Sequence, residues 1–145
     1  MASLTEVIRD TTRRRAVVDD GVNVIEAEVA DKGGLSGMAI KTAYAMVKKV
    51  KPGFVGGALN HLLDDFAGKV DPYWQDALAK GGDPVGHFQK RGAEVAESLL
   101  QITDGRAARA SGPVRSTYDK LRPQAAEHVK AAMPRVGGLL KKHAV

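Results

Sequence analysis

The chain has no cysteine among its 145 residues, and aromatic side chains make up only 5% of it. The first absence excludes disulfides, thiolate zinc sites, iron–sulfur ligation and cysteine nucleophiles together, and it is compatible with a reducing cytoplasm. The second leaves too few rings for a stacking platform on single-stranded nucleic acid, and those present do not interleave with the basic residues. Long apolar runs are missing too. The most apolar window, Leu35 to Val50, is interrupted by Lys41, Lys48 and Lys49, short of the roughly 20 apolar residues of a spanning helix. The first ten residues carry Glu6 and Asp10 and lack the apolar core of a secretory signal. No sustained period-two alternation marks a strand, and no low-complexity tract divides the chain. A soluble, cytoplasmic, single helical domain over residues 1–145 is the expectation.

What is present is helical spacing. Val18, Val22, Ile25 and Val29 step by four, three and four, the signature of one helix face, and Gly33-Gly34 supply a stop. A short helix capped by Ser3 is expected before it. Leu35 to Val50 is apolar on nearly every side, which predicts the central helix of a bundle. Val55, Leu59, Leu62 and Phe66 mark a further helix to about Lys69. Asp71-Pro72 and Asp83-Pro84 each read as a helix start, because aspartate caps free amides and proline suits the first helical position. Val95, Leu99 and Ile102 carry a helix that Asp104-Gly105 would close, with Arg106 to Gly112 as an exposed loop. Pro113 opens another helix, Pro123 would end it and start the last one, and Pro134 would kink that last helix. The pattern predicts an all-α, compact single-domain bundle of seven to nine helices.

The charge is unevenly placed. The net charge is +5, yet no acidic residue lies between Asp31 and Asp64, a stretch holding Lys32, Lys41, Lys48, Lys49 and Lys51. Arg13-Arg14-Arg15 and the C-terminal third add further basic clusters. Lys41, Lys48, Lys49 and Lys51 are the residues with which a nucleic-acid- or ribosome-associated protein would meet phosphates. Asp64 and Asp65 count against that role, because they face outward on the helix best placed for groove reading.

Catalytic signals are weak. His61, Asp64 and Asp65 share a helix face and could hold a metal, although they equally form the solvated side opposite Leu59 and Phe66. The Glu-x-x-His pairs of a carboxylate-bridged bundle are absent. No Gly-x-Ser-x-Gly elbow supports a serine nucleophile. Gly33-Gly34-Leu35-Ser36-Gly37 resembles part of an anion nest at a helix start, but lacks the Walker spacing and suits a tight turn. His87, His128 and His143 stand alone in the sequence.

Asp31-Lys32-Gly33-Gly34-Leu35-Ser36-Gly37-Met38-Ala39-Ile40-Lys41-Thr42-Ala43-Tyr44 and the following Val47-Lys48-Lys49-Val50-Lys51-Pro52-Gly53 resemble a family of small helical proteins common in actinobacteria. So do Ile102-Thr103-Asp104-Gly105-Arg106-Ala107, Tyr118-Asp119-Lys120-Leu121-Arg122-Pro123 and Lys142-His143-Ala144. The resemblance covers nearly the whole chain. It implies an uncharacterised, bacterial, cytoplasmic, all-helical protein and brings no catalytic residue or cofactor. The sequence names no activity. The expectation is a non-enzymatic bundle without cofactors that acts by binding another protein or itself. The alternatives are nucleic-acid or ribosome association and, last, a metal-dependent enzyme.

Overall fold

A computed structural model describes residues 3–110 and 112–144. Eight helices make up the described residues: α1 (Leu4–Val7), α2 (Thr11–Asp31), α3 (Gly34–Val50), α4 (Phe54–Ala79), α5 (Pro84–Lys90), α6 (Gly92–Ala107), α7 (Gly112–Ala131) and α8 (Met133–His143). The all-α expectation is met. Local chemistry starts the first two, the first by the cap that the sequence suggests. The Ser3 side chain accepts from the Glu6 amide, and the Asp10 carboxylate accepts from the Thr12 amide at 2.9 Å, so each satisfies amides that the helix leaves free.

Four readings of where helices begin and end differ in the structure, each for an identifiable reason. Pro72 lies inside α4. Its missing N–H frees the carbonyl of Gly68, four residues back, which is exposed and reaches water. The Asp71 carboxylate is used elsewhere: it accepts from the amides of Leu4 and Thr5 at 2.8 and 2.9 Å, capping α1 across 66 residues of sequence. Pro123 likewise lies inside α7. At the third, α6 continues past Asp104-Gly105 to Ala107, because Asp104 turns its carboxylate to α7. Arg122 donates to it twice, at 2.8 and 3.2 Å, and the Tyr118 hydroxyl donates as well. Most of the expected exposed loop therefore shrinks to residues 108–110, and its Ser111 lies outside the described residues. Pro134 does not kink a long last helix. It sits in the first turn of α8, where a missing N–H costs nothing.

The core forms around α4. Leu63, Ala67, Val70, Trp74 and Ala77 are its buried residues, stepping by four and three straight through Pro72. Against them lie Val7 of α1, Val17 of α2, Phe88 of α5, Val95 of α6, and Met133 and Leu140 of α8. The Trp74 and Phe88 rings meet edge to face with centroids 5.9 Å apart, a favoured aromatic geometry. Trp74 also donates its indole N–H to the Ala144 carbonyl at 2.9 Å, fastening the end of α8 to the centre.

That arrangement moves α3 outward. The sequence places it at the bundle centre, but Gly37 is its one buried residue. Leu35 is 88% exposed and Val50 78%. The central place belongs instead to the deep face of α4, which the sequence reading had divided in two.

Candidate functional site

Two features stand out once the helices are placed: the outer face of α3, and an apolar cavity behind it with a polar cluster at its rim. On α3, Ile40, Ala43, Tyr44 and Val47 are half-buried toward the body. Leu35, Met38, Ala39, Thr42, Ala45, Met46 and Val50 point away and are exposed. At about 100° per residue these outward positions form one continuous stripe. Its centre is small, with Ala39, Thr42 and Ala45 between the bulky pairs Leu35/Met38 and Met46/Val50.

The four lysines singled out from the sequence lie on or beside this stripe rather than form a strip of their own. Lys41 and Lys48 lie seven residues apart on one flank. Lys48 pairs with Glu26 at 3.4 Å and lies over the Tyr44 ring at 5.4 Å. Lys49 projects onto the stripe itself, and Lys51 follows α3 and lies over the Phe54 ring at 5.8 Å. The other candidates are not drawn together. Asp64 is taken by Arg14 at 3.2 Å, His61 is exposed, and no group of three metal-ligating side chains forms among the described residues. The glycines of the Gly33–Gly37 turn serve backbone geometry: Gly34 has φ +69°, which favours glycine. A Cβ on Gly37 would stand 2.6 Å from the carbonyl carbon of Lys32, so α3 leaves α2 closer than any side chain allows.

The cavity has a volume of about 360 Å³ and walls almost wholly of carbon. Its inner end is closed by buried Leu4, Val17, Leu63 and Leu140, and half-buried Ile25, Ile40, Phe66 and Leu99 line its outer part, which opens to solvent. At one side of the outer end stand Glu28, Lys32 and His128. Glu28 accepts from Lys32 at 3.0 Å and from Arg135 at 2.7 Å. Both Glu28 and Lys32 side chains are only 12% exposed. Lys32 also donates to the His128 carbonyl at 3.3 Å. Arg135 reaches Asp31 as well, at 2.5 Å.

His128, isolated in the sequence, has its Nε2 2.6 Å from the Ser36 hydroxyl, 92 residues away. Desolvation, with the nearby Lys32 ammonium adding to it, holds the imidazole below its ordinary 6.5, and Glu127 opposes the shift. A neutral ring lets Nε2 accept the Ser36 proton. Between the depressed folded value and the ordinary one, the unfolded chain binds more protons than the folded chain. The stability from this group is therefore complete above about pH 6.5 and is lost as pH falls toward the folded value. Melting temperatures measured from about pH 7.5 down to about pH 5 should fall, and His128→Asn should flatten part of that slope. An unchanged slope in the variant would show that the ring is not held neutral.

Sequence reasoning missed this cluster because its members sit far apart: Glu28, Lys32 and Ser36 on one side of the chain, His128 and Arg135 roughly a hundred residues on. The only early signal was that Asp31 to Ser36 and the segments around Asp104 and Tyr118 carry the family resemblance. The latter two meet directly through the Asp104, Tyr118 and Arg122 contacts.

Among the described residues, no helix is long and apolar enough to cross a membrane. A search of curated proteins and a search of solved structures each find no match. One family does match, over residues 4–144, which is nearly the whole chain and takes in every contact described above except the Ser3 cap. The chain belongs to the family of unknown function DUF6918.

Proposed function

We propose that this protein is a non-enzymatic binding module whose α3 docks an amphipathic helix of another protein, one with acidic residues beside its apolar seam. A cytoplasmic, actinobacterial setting belongs to the same proposal. The observation that carries it is the exposed apolar stripe of α3, an unusual use of Leu35, Met38, Met46 and Val50, since contiguous apolar surface marks interaction sites. Its outward positions 35, 38, 42, 45 and 49 alternate steps of three and four, the spacing of a helix-packing seam. Small residues at the centre allow a second helix to approach closely, and they offer little bulk for insertion into a bilayer.

Charge selects the partner. Lys41 and Lys48 border the stripe, Lys49 projects onto it, and no acidic residue lies between Asp31 and Asp64. Symmetric pairing of two copies across α3 would crowd these lysines together, whereas acidic flanks on another protein would meet them. The carbon centre of the face also favours protein over nucleic acid, whose phosphates would have to lie across it.

A photo-crosslinking residue at Thr42, introduced in cells of the native host, tests this directly. The expected result is an adduct with one other protein, through a helical segment rich in Asp and Glu, that disappears in the Met38→Glu, Met46→Glu background. Both methionines are exposed, so that background should change stability by no more than about 0.5 kcal/mol. No adduct, or one at twice the mass of the chain, would overturn the choice of partner.

A further inference from the structure

The cavity stands apart from the outer face of α3, and nothing proposed for that face fills it. Its volume of about 360 Å³ is more than twice that of an engineered void of about 150 Å³ that takes up benzene. A concave apolar cleft, open on one side and with a few convergent polar groups at its rim, is an ordinary form of a small-molecule site. The polar end is what discriminates among ligands. Lys32 is offset there by Glu28 at 3.0 Å, and outside the lining Arg135 pairs with Glu28 and Asp31 at 2.7 and 2.5 Å, so the cluster carries no net formal charge. A ligand carboxylate would be buried against Glu28, and a ligand ammonium against Lys32. Either would bring an uncompensated charge into a carbon-walled space. An uncharged head meets no such penalty. The Lys32 ammonium has three N–H groups, of which Glu28 and the His128 carbonyl take two, leaving one for a ligand oxygen.

We propose that this cavity binds an uncharged amphiphile, an alkyl or small fused-ring body with a single hydroxyl, ester or similar oxygen as its head. The body lies along Ile25, Leu63 and Leu99, and the head oxygen accepts from Lys32. Neither part depends on what α3 docks.

The test uses the purified full chain at neutral pH, with the uncharged fluorophore N-phenyl-naphthylamine as probe and decanol and decanoate as competitors. Saturable fluorescence enhancement at one probe per chain is expected, with decanol displacing the probe at least tenfold more tightly than decanoate. Val129→Phe from α7 and Leu99→Trp from α6 both fill the cavity. Each should weaken probe binding at least tenfold while its melting temperature stays at or above that of the parent. Should one of the two fail to fold, the other carries the comparison. Lys32→Met should weaken decanol several-fold more than the probe. Absence of saturable binding, or parental affinity in a folded filling variant, would overturn the site. Displacement by decanoate as tight as by decanol would overturn the assignment of an uncharged head, as would a Lys32→Met variant that binds decanol like the parent.

Discussion

Trp74→Ala is expected to remove about 3–5 kcal/mol of folding stability, a large share of the roughly 5–15 kcal/mol that holds a domain together. Trp74 is fully buried, packs edge to face on Phe88, and donates to the carbonyl of Ala144, itself fully buried. Alanine leaves a cavity and an acceptor without its donor, two separate penalties. The melting temperature should fall by on the order of 10–20 °C. Trp74→Phe partly separates the two contributions, because it keeps a six-membered ring against Phe88 and loses the indole N–H with a smaller loss of volume. Its cost should be nearer the roughly 1–3 kcal/mol of one unsatisfied buried group. Far-ultraviolet circular dichroism is the measurement of choice, since Trp74 is the sole tryptophan and neither variant retains its fluorescence. A loss below about 1 kcal/mol for Trp74→Ala, no more than a typical surface or conservative change, would mean that α4 is not the centre of the core.

The same residue shows how the fold could and could not be read in advance. Asp71-Pro72 looks like a helix start, which by itself would assign Trp74 to a separate helix. Yet the buried positions Leu63, Ala67, Val70, Trp74 and Ala77 keep one period across the proline, and so do Tyr118, Leu121, Ala125 and His128 across Pro123. Periodicity was the stronger signal in both places. A proline removes one backbone bond on an exposed face, whereas breaking the period would turn a whole apolar stripe to water. The end of α6 teaches the same lesson: Asp104-Gly105 has the composition of a stop, but Ala107 beyond it is still half-buried. Hydrogen bonds from Arg122 and Tyr118 hold the Asp104 carboxyl below its ordinary range, and these partners cannot be seen locally.

The place of α3 was not legible for a different reason. A helix with apolar residues all round states that it could be covered on every side; it does not state that it is. Met, Leu and Ala read alike facing a core or an interface, and only the positions of α2, α4 and α7 settle which side is left open. The polar rim of the cavity was hidden likewise. Ser36 and His128 look ordinary alone and gain meaning only at 2.6 Å from one another.

Asp71→Ala should detach the N-terminal turn while leaving most of the bundle folded. A helix of four residues does not persist on its own, because nucleation is unfavourable and propagation over so short a length cannot offset it. Two things hold α1 in place: burial of Leu4, Val7 and Ile8, and the Asp71 carboxylate, which takes the Leu4 and Thr5 amides and the Thr5 hydroxyl. Alanine removes all three acceptor contacts, so the expected loss is about 2–3 kcal/mol, above that of an ordinary single cap because the acceptor is ionised. Asp71→Asn keeps one carbonyl oxygen and should lose less. Local and global unfolding then separate: amide exchange at Val7 and Ile8 should accelerate by about ten- to a hundredfold, and tryptic cleavage after the exposed Arg9 should quicken, while amides of α6 change little. Uniform acceleration across the chain would instead make α1 part of the same cooperative unit as the core. Leu4 closes the inner end of the cavity, so loosening α1 also opens that end. Probe binding should then weaken in Asp71→Ala even though no residue of the polar rim has been touched.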